Sequence, residues 1–160
     1  MNDEYPDIRP VSDADASLLP WSKGPVWKLY KPWPFAFRDE NGRDWHFTIP
    51  AGFLFDGQSV PSIFHAWPLR YGPSGVGMRA GLCHDWLCEI YNWRSEWVMK
   101  AFNGIRPDCP SPQAIHQVYY DIQMEDGQRP RKAKAMWLAV RLFGPGGLLR
   151  PSTIWKGIIS

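Results

Sequence analysis

His84 and Asp85 stand side by side in the run Gly81-Leu82-Cys83-His84-Asp85-Trp86-Leu87-Cys88, among apolar residues. An imidazole in such a setting needs a hydrogen-bond partner, a metal or a proton-transfer role, because an unsatisfied buried ring costs free energy. A second polar group lies upstream, in Phe55-Asp56-Gly57-Gln58-Ser59-Val60-Pro61. Asp56 falls where a strand pattern ends, a common place for a ligand or catalytic carboxylate. Ser59 is a candidate nucleophile or helix N-cap. Its surroundings depart from the G-x-S-x-G elbow, with Pro61 in place of the last glycine, which favours the cap. His116 is a further imidazole able to join the group. Cys88 lies one helical turn after His84, within reach of it, although a buried structural thiol is the simpler role for Cys83 and Cys88.

Several kinds of chemistry fit these residues. Asp56, His84, Asp85 and His116 can bind a divalent metal that activates water. The same side chains can line a pocket that holds a nucleotide or small ligand without turnover. Each can also be structural: Asp56 in an Asx turn, Ser59 as a cap, His84 on a backbone carbonyl, Asp85 near a helix start with the dipole. Neighbours on a helix differ by about 100° in direction, so His84 and Asp85 can face one cleft more easily than they can touch.

The elements that must position them follow from periodicity and breakers. Residues 1–24 hold Pro6, Pro10 and Pro20 with scattered acids and read as an extended arm. Val26–Tyr30 and Phe35–Arg38 read as strands split by Lys31-Pro32-Trp33-Pro34. Glu40-Asn41-Gly42 signals a hairpin turn. Arg43–Ile49 alternates, with Trp45, Phe47 and Ile49 on one face. Phe53 and Phe55 continue the β pattern to Asp56. After the glycine-rich loop at 71–77, Met78–Asn92 reads as the main helix, with Ala80, Cys83, Leu87 and Tyr91 as its apolar stripe. Arg94–Ile105 predicts a short helix. Pro112–Glu125 and Arg131–Phe143 predict two more, with Ile115, Val118, Tyr119 and Ile122, then Ala133, Met136, Trp137 and Val140, inward. The expected fold is α+β: a small N-terminal antiparallel sheet packed on a C-terminal bundle of three to five helices. Its expected limits are residues 25–147, with 148–160 a C-terminal tail.

Ten Trp, eight Phe and six Tyr among 160 residues supply an aromatic core and also contact surfaces. The net charge of +2 is uneven. Residues 1–17 carry five acids and one base; residues 127–160 carry seven bases and no acid. Such a basic end is a solvated face or a surface for an anionic partner. Trp86, Trp93 and Trp97 lack interleaved bases beyond Arg94, so nucleic acid is not an expected partner. Three cysteines cannot all pair, and Cys83 and Cys88 point about 140° apart on a helix. No run of about 18 apolar residues marks a membrane span, and the acidic, polar start is not a signal peptide.

Three motifs carry a resemblance. They are Asp56-Gly57-Gln58-Ser59-Val60-Pro61, His84-Asp85-Trp86-Leu87 and Ala139-Val140-Arg141-Leu142-Phe143-Gly144. In this order they resemble a phage- and prophage-associated family of unknown function, over roughly residues 45–147. The resemblance implies a small α+β domain coded by phages, acting in the host cytoplasm or the virion. The chain departs from the family pattern at His116, where an acid is usual. Cys83-His84-Asp85 after a glycine-rich loop is also similar to the catalytic helix of secreted phospholipases A2. That likeness implies His84 as general base and Asp85 as calcium ligand, although three thiols cannot build that family's disulfide framework. Two functions remain open. One is a hydrolase-like site built by Asp56, Ser59, His84, Asp85 and His116. The other is a non-enzymatic phage accessory protein in which the motifs are structural, either a virion or tail component or an inhibitor of a host factor, with aromatic surfaces as the contact to the virion or host protein.

Overall fold

Alternation and turn chemistry build the first half of the chain. In the computed structural model the described residues are 5–11, 26–55, 77–93 and 95–143. Strands β3 (Trp33–Arg38) and β4 (Asp44–Ile49) pair antiparallel, with Phe35 opposite Phe47 and Phe37 opposite Trp45. Trp45, Phe47 and Ile49 are buried and the residues between them exposed, as the alternation requires. Strand β3 starts at Trp33 and includes Pro34, so the Lys-Pro-Trp-Pro run interrupts the chain less than its prolines suggest. Pro34 lies on the exposed side of a two-stranded hairpin, where edge positions tolerate it. Rings stack along the hairpin: Trp33 on Phe35 at 5.7 Å, Phe35 on Phe47 at 5.6 Å, Trp45 on Phe47 at 6.0 Å.

Asp39 holds the turn. Its carboxylate accepts from the Asn41 and Arg43 backbone N–H groups and from Trp45 Nε1. The Trp45 hydrogen bond, then the Arg43 amide, keep its carboxyl below the usual range. Arg43 also lies over the Trp45 ring at 4.0 Å and pairs with Asp108, and Ser111 Oγ donates to Glu40 at 3.2 Å. These contacts tie the hairpin to the segment before the third helix.

A second sheet has the order β1-β2-β5, from Ile8–Pro10, Trp27–Leu29 and Leu54–Phe55, all antiparallel. Part of the N-terminal segment is thus a strand, with Ile8 opposite Leu29. The expected single sheet is two small ones.

Helices α1 (Met78–Asn92), α2 (Glu96–Ala101), α3 (Pro112–Glu125) and α4 (Pro130–Phe143) complete the α+β arrangement. Gly77, at φ 93°, starts α1 with no side-chain cap. Its left-handed conformation favours glycine. Ser95 and Ser111 cap α2 and α3 by accepting from the Val98 and Ala114 amides, and Pro112 opens α3, where its missing N–H is harmless. Asp126-Gly127, with Gly127 at φ 78°, ends α3. Helix α2 is shorter than Arg94–Ile105, because Asn103 and Gly104 both take positive φ and turn the chain out.

The apolar stripe foreseen for α1 is too narrow. Arg79, Ala80, Gly81, Leu82, Cys83, His84, Trp86, Leu87 and Ile90 are all buried. This helix is packed nearly all round, against α3 and against β5. Trp137 of α4 is only half-buried, while Ala133, Met136, Ala139 and Val140 face the core.

Candidate functional site

Helix α1 places His84 and Asp85 more than one turn beyond its first residue, near its middle. Asp85 therefore gains nothing from the helix N-terminus, whose field fades within the first turn. His84 points into the interface with α3. There its Nε2 lies 3.3 Å from His116 Nδ1, and both side chains are buried, at 4% and 3% exposure. The Tyr119 ring packs beside His84, with centroids 5.1 Å apart. His84 Nδ1 is 3.7 Å from Asp85 Oδ1, close enough for charge attraction and too long for a hydrogen bond. The Cys88 sulfur is 3.6 and 3.7 Å from the two imidazole nitrogens. Being almost equidistant, it packs against the ring instead of lying on the axis of either N–H.

The structure thus brings together His84, Asp85 and His116, with Cys88 and Tyr119 completing the group. Asp56, Ser59 and the loop at 71–76 lie outside the described residues. Among the described residues no group of three or more His, Cys, Asp or Glu is arranged to hold a metal ion. The imidazole pair can share one proton along the 3.3 Å line. Charging both rings would set two cations against each other in a poorly solvated interface. Asp85 and Cys88, both half-buried, form the more accessible side of the group. The other two thiols are poor nucleophiles. Complete burial pushes Cys83 well above its ordinary range, and burial pushes Cys109 up to about 11.

Sequence reasoning missed the polar groups at the other end of the α1–α3 interface. Arg79 Nη2 pairs with Asp126 Oδ1 at 2.8 Å and with Glu125 Oε2 at 2.9 Å. Tyr5 donates its hydroxyl proton to Asp126 Oδ2 at 3.2 Å. Desolvation and then the Asp126 charge push the Tyr5 phenol up to about 12, so it remains a neutral donor. Gln123, fully buried on α3 one turn after Tyr119, has no hydrogen-bond partner for either amide atom among the described residues. The sequence signal for Gln123 is its place seven residues after His116, on the α3 face that also carries Tyr119.

The Gln123 amide is the clearest energetic cost in this interface. Gln123→Leu keeps the volume close and removes two unpaired polar atoms. It is expected to raise unfolding free energy by about 1–2 kcal/mol. Urea denaturation checks this; a loss in place of a gain means that the amide is satisfied, by water or by a residue outside the described set.

Two small antiparallel sheets against four helices, with a buried imidazole pair between two of those helices, define an α+β protein with a polar core site. The chain belongs to the family described as "Protein of unknown function (DUF1353)", whose pattern matches residues 27–140. It is 29% identical over 121 residues to "Uncharacterized protein y4jT" of Sinorhizobium fredii (strain NBRC 101917 / NGR234), covering 75% of this chain and 30% of that protein. It is 28% identical over 114 residues to "Uncharacterized protein y4iH" of the same strain, covering 69% of this chain and 38% of that protein. The chain therefore spans about a third of the length of these relatives. No solved structure matches it.

Proposed function

We propose that this is a phage- or prophage-encoded protein with a hydrolase-like site in which His84 is the general base. The observation that carries the reading is the His84 Nε2–His116 Nδ1 contact at 3.3 Å, with Asp85 beside the other nitrogen. In this arrangement His84 Nε2–H donates to His116 Nδ1, and His84 Nδ1 accepts a proton from water as the water oxygen attacks an acyl or phosphoryl centre; the imidazolium then returns that proton to the departing alkoxide or amine as its bond to the centre breaks. His116 fixes the ring by the shared hydrogen bond, and the Asp85 carboxylate stabilises the imidazolium that forms. The phage context rests on the motif resemblance, as does the placing of Asp56 and Ser59 at the same site.

The test is turnover of ester, phosphodiester and peptide-amide chromogenic substrates by the purified chain. His84→Gln is expected to lose roughly 10²-fold or more of the activity found, with little change in melting temperature. No turnover by the unaltered protein on any of these classes, or equal turnover by the variant, would overturn the reading.

The burial of both imidazoles favours a second reading, a non-enzymatic accessory protein in which the pair only stitches α1 to α3. A partner surface is then carried by exposed apolar side chains such as Trp97, Met99 and Ile105. In that case His84→Gln costs about 1–3 kcal/mol of stability, and any phenotype follows protein level.

A further inference from the structure

We propose that the outward face of α4 docks on an anionic lipid surface. Arg131, Lys134, Leu138 and Arg141 recur at spacings of three, four and three, which places them on one side of the helix. All four are exposed, Leu138 at 51%. The opposite side carries the buried Ala133, Met136 and Val140, so the helix has its core face satisfied and this stripe turned outward. The stripe is about 15 Å long.

None of Arg131, Lys134 and Arg141 has an ion-pair partner among the described residues. The sequence from 127 to 160 contains no acid at all. The Arg141 guanidinium lies over the Trp137 ring, 4.6 Å from its centroid, and Trp137 packs edge-on against Tyr120. That stack holds one cation along the helix side instead of leaving it free to collapse inward.

The exposed leucine selects the kind of anion. A duplex phosphate backbone offers a Leu at the centre of a cationic stripe only charged oxygens and water. A membrane interface takes its aliphatic end into the headgroup–acyl boundary while the Arg and Lys stems snorkel beside it. Beyond α4 the sequence adds Arg150 and Lys156 with Leu148, Leu149, Ile154, Trp155, Ile158 and Ile159, the same mixture of cations and large apolar residues. Electrostatic attraction plus one partly inserted side chain gives reversible, salt-sensitive attachment. This inference does not depend on chemistry at His84.

The experiment is co-sedimentation of the full chain with vesicles. Binding to mixed phosphatidylglycerol–phosphatidylcholine vesicles and not to phosphatidylcholine alone is expected. It should vanish towards about 1 M salt, where the screening length falls to about 3 Å. The triple variant Arg131→Gln, Lys134→Gln, Arg141→Gln should weaken partitioning roughly a hundredfold, since each base near an anionic surface contributes about a factor of five. Leu138→Ser should weaken it by roughly threefold to tenfold while leaving the salt dependence intact. Lys100→Gln, an exposed base on α2, should leave it unchanged. Failure to bind anionic vesicles, equal binding to neutral ones, an unaffected triple variant, or tighter binding to duplex DNA at the same salt would each overturn the proposal.

Discussion

Asp126→Ala is expected to lower unfolding free energy by about 3 kcal/mol, among the largest effects of any single polar change in this protein. The Asp126 side chain is 4% exposed and its Arg79 partner 11% exposed. Removing the carboxylate leaves a mostly buried guanidinium with Glu125 as its remaining ion-pair partner among the described residues, and that side chain is 43% exposed. A partner so close to water recovers only part of the loss, which keeps the cost at the lower end of the range for breaking a buried pair. The double change Arg79→Met, Asp126→Leu removes both charges and keeps apolar volume. It should cost clearly less than Asp126→Ala alone, because no uncompensated charge remains. Urea denaturation of Asp126→Ala, of the double variant and of its two components, Arg79→Met and Asp126→Leu, gives the cycle. A loss under about 1 kcal/mol for Asp126→Ala, or a double variant as unstable as the sum of the singles, rules out a buried pair that matters here. The same cluster holds Tyr5, so the variants also report on how the N-terminal segment attaches to the helices.

What was legible in the sequence is what local chemistry determines. Helices α1 and α3 have the limits read from their breakers: a glycine before Met78, Pro112 at one end of α3, Asp126-Gly127 at the other. Strand β4 follows from its alternation alone. His84, Asp85 and His116 stood out as candidates, together with Asp56 and Ser59, because a buried imidazole is costly and has few uses. What was not legible depends on distant packing. Nothing local to Arg79 announces a partner at Asp126, since the pair forms only when α1 and α3 lie side by side. The width of the buried face of α1 was missed for the same reason. A helix with neighbours on several sides hides residues that a one-sided stripe would leave exposed. Gln123 belongs with these, a polar residue whose burial contradicts its type. The direct contact between His84 and His116, 32 residues apart, is likewise a tertiary fact.

Trp86→Ala tests whether the sheets and helices stabilise one another. Trp86 is fully buried on α1 and reaches both halves of the fold. Its ring meets Phe53 edge-on at 5.1 Å, on the segment that leads into β5, and stacks near Phe102 at 6.2 Å, at the end of α2. Truncation removes the aromatic ring that joins these elements and leaves a cavity, so a loss of about 3–5 kcal/mol is expected. Trp86→Phe separates ring from polar edge. The indole Nε1 has no hydrogen-bond partner among the described residues, so losing that N–H relieves a desolvation cost while the smaller ring opens a smaller void. The phenylalanine variant should therefore lose less than half as much as the alanine one. Trp93→Ala, at a half-buried position, should cost about 1–2 kcal/mol and serves as the comparison. All three variants should unfold in one urea transition with an unchanged slope, because a residue that joins the sheets to the helices weakens both together. Two separate transitions for Trp86→Ala, or a loss below about 1.5 kcal/mol, would show that the two halves hold together through other contacts.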